Sequence, residues 1–127
     1  MPTRVFISFD YDYDSDLKTL LVGQAKNPDS PFEIADWSIK DASADWKLKA
    51  RERIRRSDQV AVICGLYTDK ATGVAVELGI AQDEQKPHFL LWGRAEGTCK
   101  KPSTASQSDK IYKWTWANLK NLIGGSR

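Results

Sequence analysis

In the stretch from Thr72 to Ala81 a single carboxylate, Glu77, stands among small and apolar residues. At about 3.6 residues per helical turn, Ala71, Val74, Ala75, Leu78 and Ala81 form one stripe, and Glu77 falls roughly a quarter turn from its centre. Glu77 is thus expected at the rim of the buried face. Gly73, four residues earlier on the same side, has no side chain and leaves room for a ligand to lie against the helix beside the carboxylate. The plain alternative is a surface glutamate on an amphipathic helix, though Ile80 and Ala81, one turn on, are apolar and offer it no ion-pair partner.

Other side chains invite chemistry less directly. Asp10, Asp12, Asp14 and Asp16 alternate, and nearby carboxylates suit a hard cation such as Mg²⁺. The segment lacks the glycine and distal glutamate of a calcium hand, however, and a helix cap plus solvation explains most of it. Lys47, Lys49, Arg51, Arg53, Arg55 and Arg56 make one helix basic, but they spread around its circumference as a solvated face does, not as a nucleic-acid stripe. Of the five tryptophans, Trp37 follows a strand end and Trp114 and Trp116 open the last helix, where a ring could stack on a flat ligand; core or interface burial is the default for the others. His88 is the only histidine and begins a strand, the end away from the site in an α/β sheet, so no Ser-His-Asp or Cys-His arrangement has its base. Neither a Gly-x-Gly-x-x-Gly turn nor a phosphate loop occurs.

The elements that must hold these residues alternate. Arg4 to Phe9 is a short apolar strand leading into the acidic stretch Asp10 to Asp14. Leu17, Leu20, Leu21 and Ala25 then recur at helical spacing, from a cap at Asp14 or Ser15 to Asn27-Pro28. Phe32 to Ala35 is a second strand, broken by the polar turn Asp36-Trp37-Ser38. A helix follows from Ser43 to about Arg56 on the spacing of Trp46, Ala50 and Ile54, with Asp41 and Asp45 at its start. Gln59 to Cys64 is apolar on both faces, as the central strand of a parallel sheet must be. The Glu77 helix ends near Gln85, and Lys86-Pro87 starts the strand His88 to Trp92. Residues 93–109 read as a long, exposed and mobile surface loop in which Cys99 is accessible, unlike Cys64. A short edge strand at Lys110 to Tyr112 and a terminal helix from Trp114 to Ile123, closed by Gly124-Gly125, complete the chain. This pattern predicts an α/β fold, one doubly wound parallel sheet with helices on both faces, whose ligands sit beyond the carboxyl ends of the strands.

Composition agrees with one domain spanning residues 1–127. Hydrophobic residues are 41% and charged residues 28%, ordinary for a globular chain, and a net charge of +2 suggests neither a nucleic-acid nor an anionic-membrane partner. Two cysteines and one histidine provide no disulfide framework and no His-rich metal site. With neither a signal-peptide core nor a run of about 18 apolar residues, the expected setting is cytoplasmic.

Several motifs together resemble the small single-domain TIR-like proteins of prokaryotes, whose sheet is flavodoxin-like, and specifically the branch with the TIR-like component of Thoeris antiphage systems. They are Val5 to Phe9, Phe32-Glu33-Ile34 leading into Asp36-Trp37-Ser38, Val60 to Ile63, Gly73 to Ala81 with Lys86-Pro87, and Trp114 to Leu119; the likeness runs from Arg4 to about Ile123. It implies an enzyme that cleaves the nicotinamide N-ribosidic bond of NAD and releases an ADP-ribose-derived signal, often cyclic, for a separate effector. Carried over, the catalytic glutamate falls on Glu77. Phe9 and Asp10 match the loop facing the nucleotide, and Asp36, Trp37 and Ser38 match the start of the loop that closes over it. Many TIR enzymes have tryptophan where this chain has Gly73, so a ring-stacking partner is missing there.

That chemistry suits a lone carboxylate. The bond breaks through an oxocarbenium-like state that an adjacent anion stabilises, and the nicotinamide of NAD is already a cationic leaving group, so neither a metal nor a cofactor beyond the substrate NAD is required. The resemblance leaves room for a homo-oligomer or a trigger protein as partners. Two competing readings remain. Val76 to Ala81 with Lys86-Pro87 also resembles the glutamate helix of nucleoside 2-deoxyribosyltransferases, and a TIR-like or receiver-like module could act by assembly alone.

Overall fold

A computed structural model describes residues 2–38 and 44–126. The strands are β1 (Thr3–Ser8), β2 (Phe32–Trp37), β3 (Gln59–Cys64), β4 (His88–Trp92) and β5 (Ile111–Lys113). The helices are α1 (Ser15–Ala25), α2 (Trp46–Arg55), α3 (Thr72–Asp83) and α4 (Trp116–Ile123), with a 3₁₀ turn at Thr68–Lys70 before α3. All strands are parallel, in the order β2-β1-β3-β4-β5. The winding direction reverses between β1 and β3, which opens a crevice at the carboxyl edge there.

Alternation along the strands divides the core in two. Val5, Ile7, Ala61, Ile63, Phe89 and Leu91 face α1 and α4, where Leu17, Leu21, Leu119 and Leu122 cover them. Phe6, Val60, Val62, Cys64 and Leu90 face α2 and α3, covered by Ala50, Ile54, Val74 and Leu78. Both faces of β3 are fully buried, which explains its unbroken apolar run.

Four sequence expectations are corrected. β2 does not break at Asp36 but continues to Trp37 with a register shift: Val5 pairs with Ile34, and the next residue, Phe6, pairs with Asp36. Ala35 is therefore the extra residue of a bulge, and every later side chain of β2 changes face. α2 begins at Trp46, not Ser43, and Ser43 and Asp41 lie outside the described residues. α4 begins at Trp116, where the Thr115 hydroxyl accepts from the Asn118 amide at 3.1 Å and caps the helix.

The fourth correction concerns Cys99 in residues 93–109, a segment that is largely exposed, as expected, and hydrogen-bonded to β3 and α3. The Lys100 amide donates to the Gly65 carbonyl at 2.9 Å, the Thr104 hydroxyl to the Ala75 carbonyl at 2.6 Å, and the Gln82 side chain to the Thr104 carbonyl at 2.9 Å. Cys99 is buried like Cys64, each as a free thiol. The segment offers little apolar surface, and composition does not display its polar bonds to β3 and α3.

Candidate functional site

Glu77 lies in the second turn of α3 and is 2% exposed, deeper than the rim position its spacing suggests. Its partners come from the sheet. The Ser8 hydroxyl donates to Glu77 Oε1 at 2.7 Å and the Ser38 hydroxyl donates to the same oxygen at 2.6 Å. Ser38 Oγ also accepts from the Phe9 amide at 3.0 Å, so one serine joins the ends of β1 and β2 to the helix.

The Ala35 bulge makes this possible. Without it, Ser38 would project toward α1; with it, Asp36, Trp37 and Ser38 fall on the faces of Phe6, Ile7 and Ser8, and Ser38 turns toward α3. Ser8 is the residue that sequence reasoning missed. Its signal was present: it is the one polar residue in the run Val5-Phe6-Ile7-Ser8-Phe9, and a polar group on a buried central strand requires a hydrogen-bonding partner.

Above Glu77 a cleft of about 940 Å³ opens at the β1/β3 switch point, lined among others by Phe9, Asp10, Tyr11, Tyr13, Ser38, Trp46, Tyr67, Lys70, Gly73 and Glu77. A methyl group on Gly73 would meet no atom within 4 Å, so the helix surface beside the carboxylate is open. Of the residues singled out from sequence, Phe9, Asp10, Ser38, Gly73 and Glu77 line this cleft. Asp36 and Trp37 do not. Asp36 is paired with Arg53 at 3.0 Å, and Trp37 lies beneath the Lys18 ammonium, 4.7 Å from its ring centroid. Trp37 touches the cleft lining at Tyr11, whose ring packs on Phe9 at 4.5 Å. Burial raises the Tyr11 hydroxyl above its ordinary pKa, and a hydrogen bond with the Trp37 side chain works against that shift.

The acidic stretch divides. Arg94 grips Asp16 with two bonds of 2.8 Å, reaches Asp14 Oδ1 at 3.2 Å and donates to the Tyr13 carbonyl at 2.6 Å. The hydrogen bonds from Arg94 hold Asp16 below the usual carboxylate range, and Arg94 is raised in return. Asp14 is buried and makes no side-chain cap on α1; desolvation pushes it up despite the pull of Arg94. Among the described residues no group of three His, Cys, Asp or Glu side chains converges as a metal site. His88 sits at the amino end of β4, Nε2 3.3 Å from Asp109.

A parallel sheet in this order, with a buried glutamate on the helix after its central strand and a cleft at the switch point, has the architecture of a TIR-like domain. The family model of the Thoeris protein ThsB, TIR-like domain, matches residues 6–97, and the chain belongs to that family, as a Thoeris-type antiphage TIR-like protein. The matched span contains Ser8, Ser38, Gly73 and Glu77. No curated protein matches the chain.

Proposed function

We propose that this domain consumes NAD, cleaving the nicotinamide N-ribosidic bond to release nicotinamide and an ADP-ribose-derived nucleotide, linear or cyclic, that a separate effector reads. The observation that carries this reading is Glu77: a buried carboxylate at the floor of a cleft of about 940 Å³, oriented by the Ser8 and Ser38 hydroxyls. Pockets of roughly 300–1,000 Å³ accommodate ligands of this size class.

As the C1′–N bond breaks, its electron pair goes to the nicotinamide nitrogen, which leaves neutral, and positive charge develops on C1′ and the ring oxygen. A fixed anion in a site shielded from water stabilises that charge with little reorganisation. Water, or a nucleophile of the same molecule, then attacks C1′. In this reading Phe9 and Asp10 face the nucleotide, Gly73 leaves space for it beside Glu77, and Ser38 at the end of β2 aims the carboxylate at it. NAD serves as substrate, and no resident cofactor or metal takes part. We assign the activity to the cytoplasm. Among the described residues no helix is long and apolar enough to cross a membrane.

The test is chromatography of NAD incubated with purified protein, with and without candidate triggers, beside a parallel incubation with deoxynucleosides. Nicotinamide release supports the proposal. Base release from deoxynucleosides alone would replace the substrate, and no release under any trigger would leave an assembly module.

A further inference from the structure

Tyr13 and Tyr67 are 56% and 46% exposed, among the most exposed large hydrophobic side chains of the described residues. They come from different loops, after β1 and after β3, yet their rings stack at a centroid separation of 4.3 Å and an angle of 36°. Both line the Glu77 cleft. Glu77 is buried at the floor, whereas these rings stand at the mouth. Glu77 lies five residues beyond Thr72, about 7.5 Å along the helix axis, and Tyr67 precedes even the 3₁₀ turn that leads into α3.

The ledge is also fixed from below. The Tyr13 carbonyl accepts from Arg94 at 2.6 Å, and the same guanidinium is locked onto Asp16 by two bonds of 2.8 Å. On the other side, the Thr68 hydroxyl, next to Tyr67, accepts from the Gly65 amide at 2.7 Å. Two rings packed on each other at a cleft mouth keep their outward faces open, and such a face suits a planar heterocycle because stacking needs a π-face and little else. A pair of side chains is far too small for a stable protein interface, which buries upwards of about 1,000 Å².

We propose that Tyr13 and Tyr67 form the stacking platform for the purine base of the dinucleotide whose other end reaches Glu77. This rests on the NAD reading, and it gives the cleft an aromatic partner that Gly73 does not supply.

Binding to the intact protein tests it without any bond being cleaved. ADP-ribose, which carries the purine, and nicotinamide mononucleotide, which lacks it, are titrated calorimetrically into the unaltered protein, Tyr13→Ala, Tyr67→Ala, the double variant, and Tyr13→Phe with Tyr67→Phe. The alanine variants should weaken ADP-ribose binding by about tenfold to a hundredfold. Nicotinamide mononucleotide should bind them as it binds the unaltered protein, and the phenylalanine variants should retain ADP-ribose. ADP-ribose affinity unchanged in the double variant, equal loss of both ligands, failure of phenylalanine to preserve binding, or no binding to the unaltered protein would each overturn the proposal. So would a change of oligomeric state in sedimentation with ADP-ribose affinity intact, which would mark the ledge as a contact between copies. Ring-dependent ADP-ribose binding without nicotinamide release would leave the platform standing and remove the cleavage reading instead.

Discussion

Glu77 and Glu84 lie seven residues apart, one within α3 and the other just past its end, and they tie the helix to different parts of the fold. Glu84 accepts from Arg51 at 2.6 Å and from Arg55 at 2.7 Å, a half-buried carboxylate that stitches the end of α3 to α2. The hydrogen bonds from Arg55 and then Arg51 hold its carboxyl below the usual range. Glu77 Oε1 accepts from the hydroxyls of Ser8 and Ser38. A guanidinium offsets the charge of the carboxylate it grips, whereas a hydroxyl fixes the direction of a carboxylate oxygen and adds no charge of its own. The first arrangement joins two helices; the second ties a helix to the ends of two strands at the floor of the cleft.

The contrast can be broken most sharply at Ser8. Ser8→Ala removes one of the two hydroxyls that aim Glu77, and the maximal rate of nicotinamide release should fall about tenfold, as expected for a lost hydrogen bond to a charged group, with KM little changed. An undiminished rate would mean that the hydroxyl is merely structural.

Two glycines near the cleft sharpen the comparison through stability. A methyl at Gly65 would overlap the Asp14 carboxylate, itself buried and engaged by Arg94, so Gly65→Ala should destabilise by about 1–3 kcal/mol. Gly73→Ala enters open space in the first turn of α3 and should stabilise by up to about 1 kcal/mol. Denaturant unfolding measures both; destabilisation by Gly73→Ala would show that the helix surface beside Glu77 is not open.

Glu84→Gln should have the smallest effect, because a surface ion pair is weak and screened by salt. Its sign with pH is fixed. A carboxyl lowered in the folded state contributes stability above its ordinary value of 4.5 and loses it as pH falls through the folded value, so the melting difference between protein and variant should shrink on acidification. Asp14, raised by burial, titrates in the opposite sense and gains stability as it protonates. A difference that grows in acid, or that persists in high salt, would contradict the assignment.

The fold was legible where one physical cause dominates. Val60 to Cys64 must be buried on both faces, and the stripe of Val74, Leu78 and Ala81 fixes how α3 lies on the sheet. The site was legible only in part. Glu77 stood out as a carboxylate beside an apolar stripe, but its burial depends on Ser8 and on a bulge at Ala35 that no local preference announces. The same bulge takes Asp36 to Arg53 and Trp37 to Lys18, away from the cleft that Asp36-Trp37-Ser38 was expected to share as a unit. Tyr13 and Tyr67 lie 54 positions apart, and only the topology brings their rings together.

The central claim is the charge on Glu77, and Glu77→Gln tests it most directly. Glutamine keeps the size of the side chain and an oxygen that can accept from Ser8 and Ser38, so the melting temperature should stay within a few degrees. Under conditions in which the unaltered protein consumes NAD, nicotinamide release should fall by at least about a hundredfold. Release at an undiminished rate from the folded variant would contradict the mechanism.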